Sequence, residues 1–458
     1  MRNTGRLLDI LDRLESGPLT DEKAFDFRLV SETIQELVSS YSIKFDKRSP
    51  VNVDDDMADR CFEAGLLLAE KAGVYCTSNR RRLVWSRPEL EQAISEAPRR
   101  GVLGFGRDEH RDEHRSPEDV RRPTVLGGSV GNPMPEALFI PSTQSYIQEP
   151  IVDGIMNSTL LTAYGRELRT QSPWEIVGAW HEAEMTLTAA RRAGREGIGI
   201  GCVASAASDI AEISASSFQG FRPTDFHHVA MISELKTDYR LLNKVTHLVR
   251  ANALIHSFYN PIYGGLAGGA EGMAVLAVAG LILLQMVYMT ASHSTSPTHP
   301  FYACNTTPEI LWATSLFTQA LSRNTPFVTV VVITPVAGPG TKMLLYETAA
   351  MTAVATTSGA TRIMGPRSAA GTVPGHASGL EARWMGEVAY ACAGMHRAQA
   401  NDLVTRLLSL YSDKLGSQDM KGRSFDQVYN LGTLKPTAEW QAMYDEVKSE
   451  VAGLGLAL

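Results

Sequence analysis

The pattern of apolar and polar positions changes character along the chain. Up to about residue 100, apolar residues recur at helical spacing, as at positions 7–14 and 62–68. Short runs at 74–76 and 83–85 lie between such segments and are typical of a small β-hairpin. After about residue 120, short apolar runs alternate with helical segments, which is typical of a βα barrel or a doubly wound sheet.

The strands of this second part are predicted from runs that end in glycine, proline, serine or asparagine. The clearest runs are 124–126, 198–200, 229–232, 253–255 and 327–333. The last of them does not alternate, as expected of a parallel strand covered on both faces. The segment Ser172-Pro173-Trp174-Glu175 is a capping box with proline at the first helical position, so a helix is predicted to begin there.

One segment has the composition of a membrane span. Positions 272–288 hold 17 residues without a charge, near the lower length limit for crossing a bilayer. The segment stands alone, is rich in alanine and glycine, and has no basic flank to orient it, which favours a helix buried inside a large domain. The N-terminus leads directly into an amphipathic pattern without a secretory signal, so a cytoplasmic protein is expected.

Charge and cysteine content exclude some classes of function. A net charge of −7 argues against a nucleic-acid binder, which needs a clustered basic surface. Five scattered cysteines without a CxxC pair are typical of reduced thiols, and no zinc-ligand spacing is present. His110 and His114 are four residues apart in the charged stretch 107–115, but a solvated loop closed by Pro117 and Pro123 is favoured over a metal site.

Two glycine-rich stretches, 197–201 and 264–272, are candidates for phosphate loops. Neither fits the dinucleotide fingerprint, and no Walker lysine follows. Close backbone packing at a barrel rim is favoured, although an anion at the helix after the second stretch stays open. Asp225 with His227 and His228 is either an acid–base cluster or a set of hydrogen-bonding histidines at a strand start.

Motifs spread over nearly the whole chain match one known family. They are Phe62-Glu63-Ala64-Gly65, Gly73-Val74-Tyr75-Cys76-Thr77, Leu103-Gly104 with Gly106-Arg107-Asp108, Thr224-Asp225 with His227, Glu234-Leu235-Lys236, Pro261-Ile262, Gly264-Gly265, Ala267-Gly268-Gly269 with Glu271, Ala337-Gly338-Pro339, and Glu381-Ala382-Arg383 with Met385-Gly386-Glu387-Val388-Ala389. The chain resembles the monomethylamine:corrinoid methyltransferase family. The resemblance implies a TIM (β/α)₈ barrel, a homo-oligomer, and methyl transfer to the Co(I) corrinoid of a separate small protein. Residues 1–120 are then a helical N-terminal extension with a small hairpin, and residues 121–458 a (β/α)₈ barrel with C-terminal helices.

The same resemblance locates a site from which the family's special residue is missing. The family carries pyrrolysine in a Gly-x-Gly-x-pyrrolysine stretch after a strand; the ungapped match puts Gly201 there, and a slip of one residue puts Cys202 there. The polar partners of the pyrrolysine, two glutamates and a glutamine, fall on His228, Phe258 and Val332. Gly201, Phe258 and Val332 are expected at or near the C-terminal strand ends, where TIM barrels place their active sites, whereas His228 begins a predicted run. Pyrrolysine-assisted handling of monomethylamine is therefore not expected.

Chemistry then points to a donor that is already cationic. Neutral methylamine is a poor methyl donor because its leaving group would be an amide anion, whereas a quaternary ammonium leaves as a neutral amine and needs only orientation and a dry site. Gly201 is expected to open space for such a larger donor. A quaternary amine or a betaine is the predicted substrate, and non-pyrrolysine relatives in the neighbouring trimethylamine methyltransferase family act on betaines.

The predicted site residues follow from this donor. Aromatic faces bind quaternary ammonium, so Phe258, Tyr259, Tyr263 and Tyr302 are expected to form a cage, with core packing as the alternative. Val332 is expected to contact the donor. Gly201, His228 and Glu271 are the predicted catalytic positions, with Glu271 as a counter-charge and with His228 or His299 meeting a substrate carboxylate.

No tightly bound metal or cofactor is predicted, because the corrinoid arrives on its carrier protein. Two other functions stay open: methyl transfer from another activated donor, such as a sulfonium or an N-methylated ring, and a catalytically silent barrel that binds a ligand or the corrinoid protein. No nucleic-acid or membrane partner is expected.

Overall fold

The computed structural model describes residues 2–202, 208–217 and 219–458, although not the side chains of residues 2, 3, 202, 418 and 419. Within them, eight parallel strands close into a barrel in chain order. The strands are β1 (Thr124–Gly127), β2 (Gly154–Met156), β3 (Gly199–Cys202), β4 (Phe226–Ala230), β5 (Leu254–Phe258), β6 (Ser292–Thr295), β7 (Thr329–Val332) and β8 (Arg362–Gly365). Each is followed by a helix: α1 (Glu136–Ile147), α2 (Pro173–Arg192), α3 (Asp209–Ala215), α4 (Tyr239–Arg250), α5 (Ala270–Tyr288), α6 (Pro308–Asn324), α7 (Lys342–Thr357) and α8 (Gly379–Cys392). The predicted (β/α)₈ barrel is confirmed.

Side chains fill the inside of the barrel, as in other folds of this type. This inner cluster of apolar residues consists of Leu103, Leu126, Met156, Phe226, Val330, Val332 and Met364. The predicted helix start is also confirmed, since the Ser172 hydroxyl accepts a hydrogen bond from the Trp174 N–H at the beginning of α2. Beyond this packed interior, a cavity opens toward the C-terminal strand ends.

The N-terminal segment is helical and packs on one side of the barrel. Its helices are Arg2–Ser16, Glu22–Ala24, the π-helical Phe25–Glu32, Thr33–Ser40, Asp55–Ala72 and Arg87–Ser95. The predicted hairpin is present as Val74–Cys76 and Arg81–Leu83, so its second strand begins two residues earlier than expected. Buried side chains of this segment and of the barrel form one continuous apolar cluster.

Helix α5, the segment with membrane-span composition, is buried inside the protein. Glu271 is its one residue that is not buried. Helix Asp55–Ala72 packs along it, and Gly65 allows the close approach, since a Cβ there would lie 2.4 Å from Cγ1 of Val278. The prediction of a buried helix is confirmed: its apolar surface is covered by protein.

The charged stretch 107–115 is not a solvated loop, and that prediction was wrong. Strands Arg100–Leu103 and His110–Glu113 form a hairpin, here called the base hairpin, across the N-terminal strand ends. Its Asp112 carboxylate accepts from the side chains of Thr124 in β1 and Arg362 in β8. His114 is buried, with ring nitrogens 2.9 and 3.0 Å from the carbonyl oxygens of Phe327 and Ser322. Several charged and polar residues of this stretch therefore have buried hydrogen-bond partners at the base of the barrel.

The chain ends in helices Arg397–Tyr411, Phe425–Val428 and Ala438–Gly453. The first and the last of them pack against α7 on the outside of the barrel. Tyr411 reaches inward, where its hydroxyl donates to the Thr306 carbonyl in the loop after β6. These helices therefore support the loops at the C-terminal end of the barrel from outside.

Candidate functional site

A cavity of about 440 Å³ opens at the C-terminal ends of the barrel strands. Its size is in the range of small-molecule sites. The lining combines residues from strand ends, from the loops that follow them and from α4: Val130, Gly131, Met156, Thr159, His228, Ala230, Leu241, Lys244, Phe258, Asn260, Ser296, Thr298, Val332 and Arg367. Its location is the one at which TIM barrels carry active sites.

Three of the predicted site residues line this cavity. His228, Phe258 and Val332 come from β4, β5 and β7. The rings of His228 and Phe258 stack with centroids 4.3 Å apart, and His256 stacks on the other side of His228 at 5.0 Å. His228 and Phe258 together are called the aromatic wall below. The family resemblance and the structure thus indicate the same cavity.

The aromatic wall is electrically neutral. Burial, with a further contribution from the Lys244 ammonium, lowers the pKa of His228 to about 3. Burial likewise holds the pKa of His256 well below its usual range. Neutral rings present their π faces to a cation without charge repulsion. His228 therefore meets a substrate carboxylate at most as a neutral hydrogen-bond donor.

Gly201 faces the barrel interior, but the space beside it is filled. A Cβ at this position would lie 2.5 Å from a ring carbon of Phe226 and 2.6 Å from the sulfur of Met156. The expected opening for a larger donor is thus not beside Gly201, because Met156 and Phe226 pack there and Met156 forms the cavity wall. The alternative position, Cys202, has a side chain outside the described residues.

Tyr259 and Glu271 lie outside the cavity. Tyr259 follows Phe258 on the opposite face of the strand end, where it is fully buried, fills the space above Gly280 of α5 and donates its hydroxyl to Glu234. The Glu271 carboxylate accepts from the backbone N–H of Phe45 at 3.0 Å and ties α5 to the N-terminal segment. Both side chains are engaged in structural contacts.

The other predicted aromatic residues form a stack at the rim. Tyr263 and His299 have ring centroids 5.3 Å apart, and His299 and Tyr302 4.6 Å. These three residues, the rim stack, lie on the loops after β5 and β6. The Tyr263 N–H donates to the carbonyl of Thr298, a cavity-lining residue, so the rim stack borders the cavity but does not form its wall.

The remaining sequence motifs have structural partners. His227 is buried between the Glu212 carboxylate at 2.9 Å and the Arg222 carbonyl, and Asp225 binds the Arg222 guanidinium. These contacts support the hydrogen-bonding interpretation over an acid–base cluster. In the glycine-rich stretch before α5, Gly264 and Gly268 adopt positive φ, which only glycine takes up readily.

Two cations in the cavity lining were missed by the sequence reasoning. Arg367 follows the end of β8. The strand-end rule that located Phe258 did not locate Arg367, because β8 was not predicted. Lys244 lies on α4, and no local signal marks it. Burial lowers the pKa of both side chains, although nearby carboxylates, first Glu212, oppose this effect at Lys244.

Comparison with known proteins gives the relatives of this chain. The sequence profile described as "Monomethylamine methyltransferase MtmB" matches residues 6–456. The chain belongs to the monomethylamine methyltransferase family. Monomethylamine methyltransferase MtmB1 of Methanosarcina barkeri is 32% identical over 455 residues, covering 98% of this chain and 97% of the relative. MtmB of Methanosarcina mazei is equally similar, with 32% identity over the same coverage.

Solved structures of this family share the whole fold. The crystal structure of the Methanosarcina barkeri monomethylamine methyltransferase superposes with a TM-score of 0.95 at 31% identity, over 99% of this chain and 98% of that chain. Its hydroxylamine complex superposes equally well. Family membership therefore rests on sequence and structure alike and makes this chain a methyltransferase enzyme.

Proposed function

We propose that this protein transfers a methyl group from a methylated, positively charged amine to the Co(I) corrinoid of a separate carrier protein in the cytoplasm. Its relatives are named for monomethylamine, and the proposed donor differs from theirs: a quaternary amine or a betaine. The observation that carries the proposal is the aromatic wall, which stands where the family resemblance places polar partners of pyrrolysine. A wall of this kind suits a methylated cation better than a small polar amine.

The described cavity lining suits a methylated ammonium group better than a small primary ammonium ion. Among the described lining residues there is no carboxylate that would hold a small ammonium ion by an ion pair. A methylated ammonium spreads its charge over its methyl groups and gains from aromatic faces instead, roughly 0.5–2 kcal/mol for each face. Monomethylamine is therefore proposed not to be a substrate.

The chain's own residues orient the donor and exclude water. Phe258 contacts the cation through the ring face that His228 leaves open, while His228, stacked between Phe258 and His256, borders the donor with its ring edge. Val332 contributes an apolar surface that is 5% exposed. The Co(I) corrinoid supplies the nucleophile that accepts the methyl group, and a neutral tertiary amine departs with the electron pair of the broken C–N bond. Orientation of the donor is the main contribution of the protein, because a quaternary ammonium needs no acid to activate it.

The loops around the mouth suit a carrier protein. Leu161, Tyr164, Ile232, Ile262 and Phe301 are exposed apolar side chains on loops that follow β2, β4, β5 and β6. Since the C-terminal ends of parallel strands share one end of a barrel, these side chains lie at the same end as the cavity entrance. Exposed apolar residues gathered at one end are typical of a protein interaction surface. Assembly into a homo-oligomer remains a prediction from the resemblance.

Methyl transfer to a Co(I) corrinoid protein tests the proposal, because methylation changes the cobalt absorption spectrum. We expect methylation with a quaternary ammonium or betaine donor and none with monomethylamine. Comparable rates with monomethylamine would contradict the proposed donor class. Transfer from a sulfonium alone would identify the alternative donor, and no transfer from any donor, with ligand binding retained, would indicate the silent barrel.

A further inference from the structure

Arg367 lies across the cavity from the aromatic wall. It follows β8, and in the closed barrel β8 is four strands away from β4 in either direction. The residue is half-buried and contributes to the cavity lining. The cavity therefore has an aromatic side, formed by β4 and β5, and a cationic side after β8.

The guanidinium of Arg367 has no protein partner among the described residues. No hydrogen bond and no ion pair is formed by its side chain there, whereas its backbone N–H donates to the Ile333 carbonyl. The guanidinium packs on Gly371, where a Cβ would lie 2.3 Å from Cζ of Arg367. Glycine at this position thus makes room for the arginine head group beside the cavity.

Burying the Arg367 guanidinium without a neighbouring anion is energetically unfavourable. Burial lowers the pKa of Arg367, which measures the cost of removing the charge from water. Buried charges are usually paired, and a guanidinium matches a carboxylate with two parallel hydrogen bonds. Arg367 therefore has free donors suited to a planar oxyanion of a ligand.

The other cation of the lining is differently placed. Lys244 lies on the side of α4, where Glu212, Asp209, Glu175 and Asp238 all raise its pKa against the effect of burial. Its positive charge is therefore largely balanced by the surrounding carboxylates. Lys244 lies near the aromatic wall, since it lowers the pKa of His228, but these carboxylates offset its charge, whereas no carboxylate among the described residues contacts Arg367.

We propose that Arg367 binds the carboxylate of the methyl donor, so that the donor is a zwitterionic trimethylammonium carboxylate, a betaine. This assignment rests on the proposed function, in which the cavity holds the donor. The carboxylate faces Arg367 and the methylated ammonium faces the aromatic wall. A quaternary amine without an anionic group would instead add a third cation to a cavity whose described lining has no carboxylate.

Equilibrium binding by calorimetry tests the assignment without any methyl transfer. The ligands are trimethylglycine and its longer homologue 4-(trimethylammonio)butyrate, each compared with the alcohol that replaces its carboxylate. The variants are Arg367→Gln and Arg367→Lys, with Arg111→Gln on the base hairpin as the control, since Arg111 is 77% exposed and lies at the opposite end of the barrel.

We expect the wild type to bind at least one carboxylate roughly 10- to 100-fold more tightly than its alcohol, the effect of a charge-assisted hydrogen bond pair. Arg367→Gln should abolish the preference for the carboxylate and keep the weaker affinity for the alcohol. Arg367→Lys should keep part of the preference for the carboxylate, and Arg111→Gln should keep all of it. Equal affinity for acid and alcohol in the wild type, or an unchanged preference in Arg367→Gln, would overturn the assignment.

The same ligands in the corrinoid assay separate this assignment from the proposed function. Arginine-dependent binding without cobalt methylation would refute the proposed function and leave the carboxylate site standing. Methylation by quaternary amines that does not depend on Arg367 would support the proposed function and refute the carboxylate site.

Discussion

At the base of the barrel, the Arg362 guanidinium lies 2.5 Å from Asp112, whereas at the mouth the Arg367 guanidinium contacts no carboxylate among the described residues. Only four residues separate these two arginines in sequence, and β8 carries one to each end. Arg115 at the base is also satisfied, by four backbone carbonyls. The same residue type is thus fully paired at one end and available at the other.

The difference separates a structural from a functional use of charge. Pairing at the base holds the hairpin over the strand ends and uses up the hydrogen-bonding capacity of the arginines. At the mouth, the same capacity faces a cavity. Unpaired donors that line a cavity indicate a ligand, and paired donors at a covered end indicate stability, so the two ends should respond differently to substitution.

The largest effect is expected at the base. Asp112→Ala leaves the buried Arg362 without its counter-charge and should lower the free energy of unfolding by about 3–5 kcal/mol. Arg367→Gln removes a charge that has no protein partner and should change stability by less than about 1 kcal/mol. Chemical denaturation of the two variants and the wild type measures both values. If Arg367→Gln were as damaging as Asp112→Ala, the distinction between the ends would fail.

The pH dependence of stability sharpens the description of the mouth. The pKa of His228 is about 3 in the folded protein, below the usual value near 6.5 of an unfolded chain. The contribution of the neutral His228 ring to the free energy of unfolding is therefore complete above pH 6.5. It is lost as the pH falls toward 3, at about 1.4 kcal/mol per pH unit. In His228→Phe the free energy of unfolding should fall less steeply between pH 6 and pH 4 than in the wild type, by that amount per pH unit.

An exposed histidine is the control for this measurement. The side chain of His396 is 75% exposed, so His396→Phe should keep the wild-type slope. A wild-type slope in His228→Phe would show that this ring takes up its proton in the folded state, and the aromatic wall would then not be neutral.

The smallest effect compares two neighbours at the end of β5. Phe258→Ala should weaken binding of a trimethylammonium ligand by about 1–2 kcal/mol, because it removes one face of the aromatic wall. Tyr259→Phe should leave that affinity unchanged and lower stability by about 1 kcal/mol through the lost hydrogen bond to Glu234. Calorimetry and denaturation separate the two. Equal losses of affinity would place both side chains in the cavity.

Five of the eight barrel strands were predictable from apolar runs. The runs near β1, β3, β4, β5 and β7 identified those strands, but β2, β6 and β8 were not recognised. Strand β6 shows why, since Ser292–Thr295 contains no strongly apolar residue and is nevertheless entirely buried. Its His293 pairs with Gln285 of α5, and Ser292 with His256 of β5. Gln285 is eight residues from His293 and His256 is 36 residues from Ser292, and side-chain pairs of this kind leave no periodic signal in the sequence.

The candidate site was predictable only in part, for similar reasons. The strand-end rule with the resemblance located Phe258 and Val332, and the resemblance alone located His228. Tyr259 was misplaced because adjacent residues of an extended chain point to opposite faces. The space expected beside Gly201 depends on how Met156 from the unrecognised β2 packs against it. Arg367 was missed because β8, which it follows, was not recognised.

The burial of helix α5 has a consequence for biosynthesis. A newly made α5 is apolar enough to resemble a membrane segment until something covers it. Helix Asp55–Ala72, which packs along it with Gly65 at the closest approach, leaves the ribosome long before α5 does. Translation thus delivers one covering helix first, and the order of synthesis limits the time during which this apolar surface stands exposed to the translation and targeting machinery.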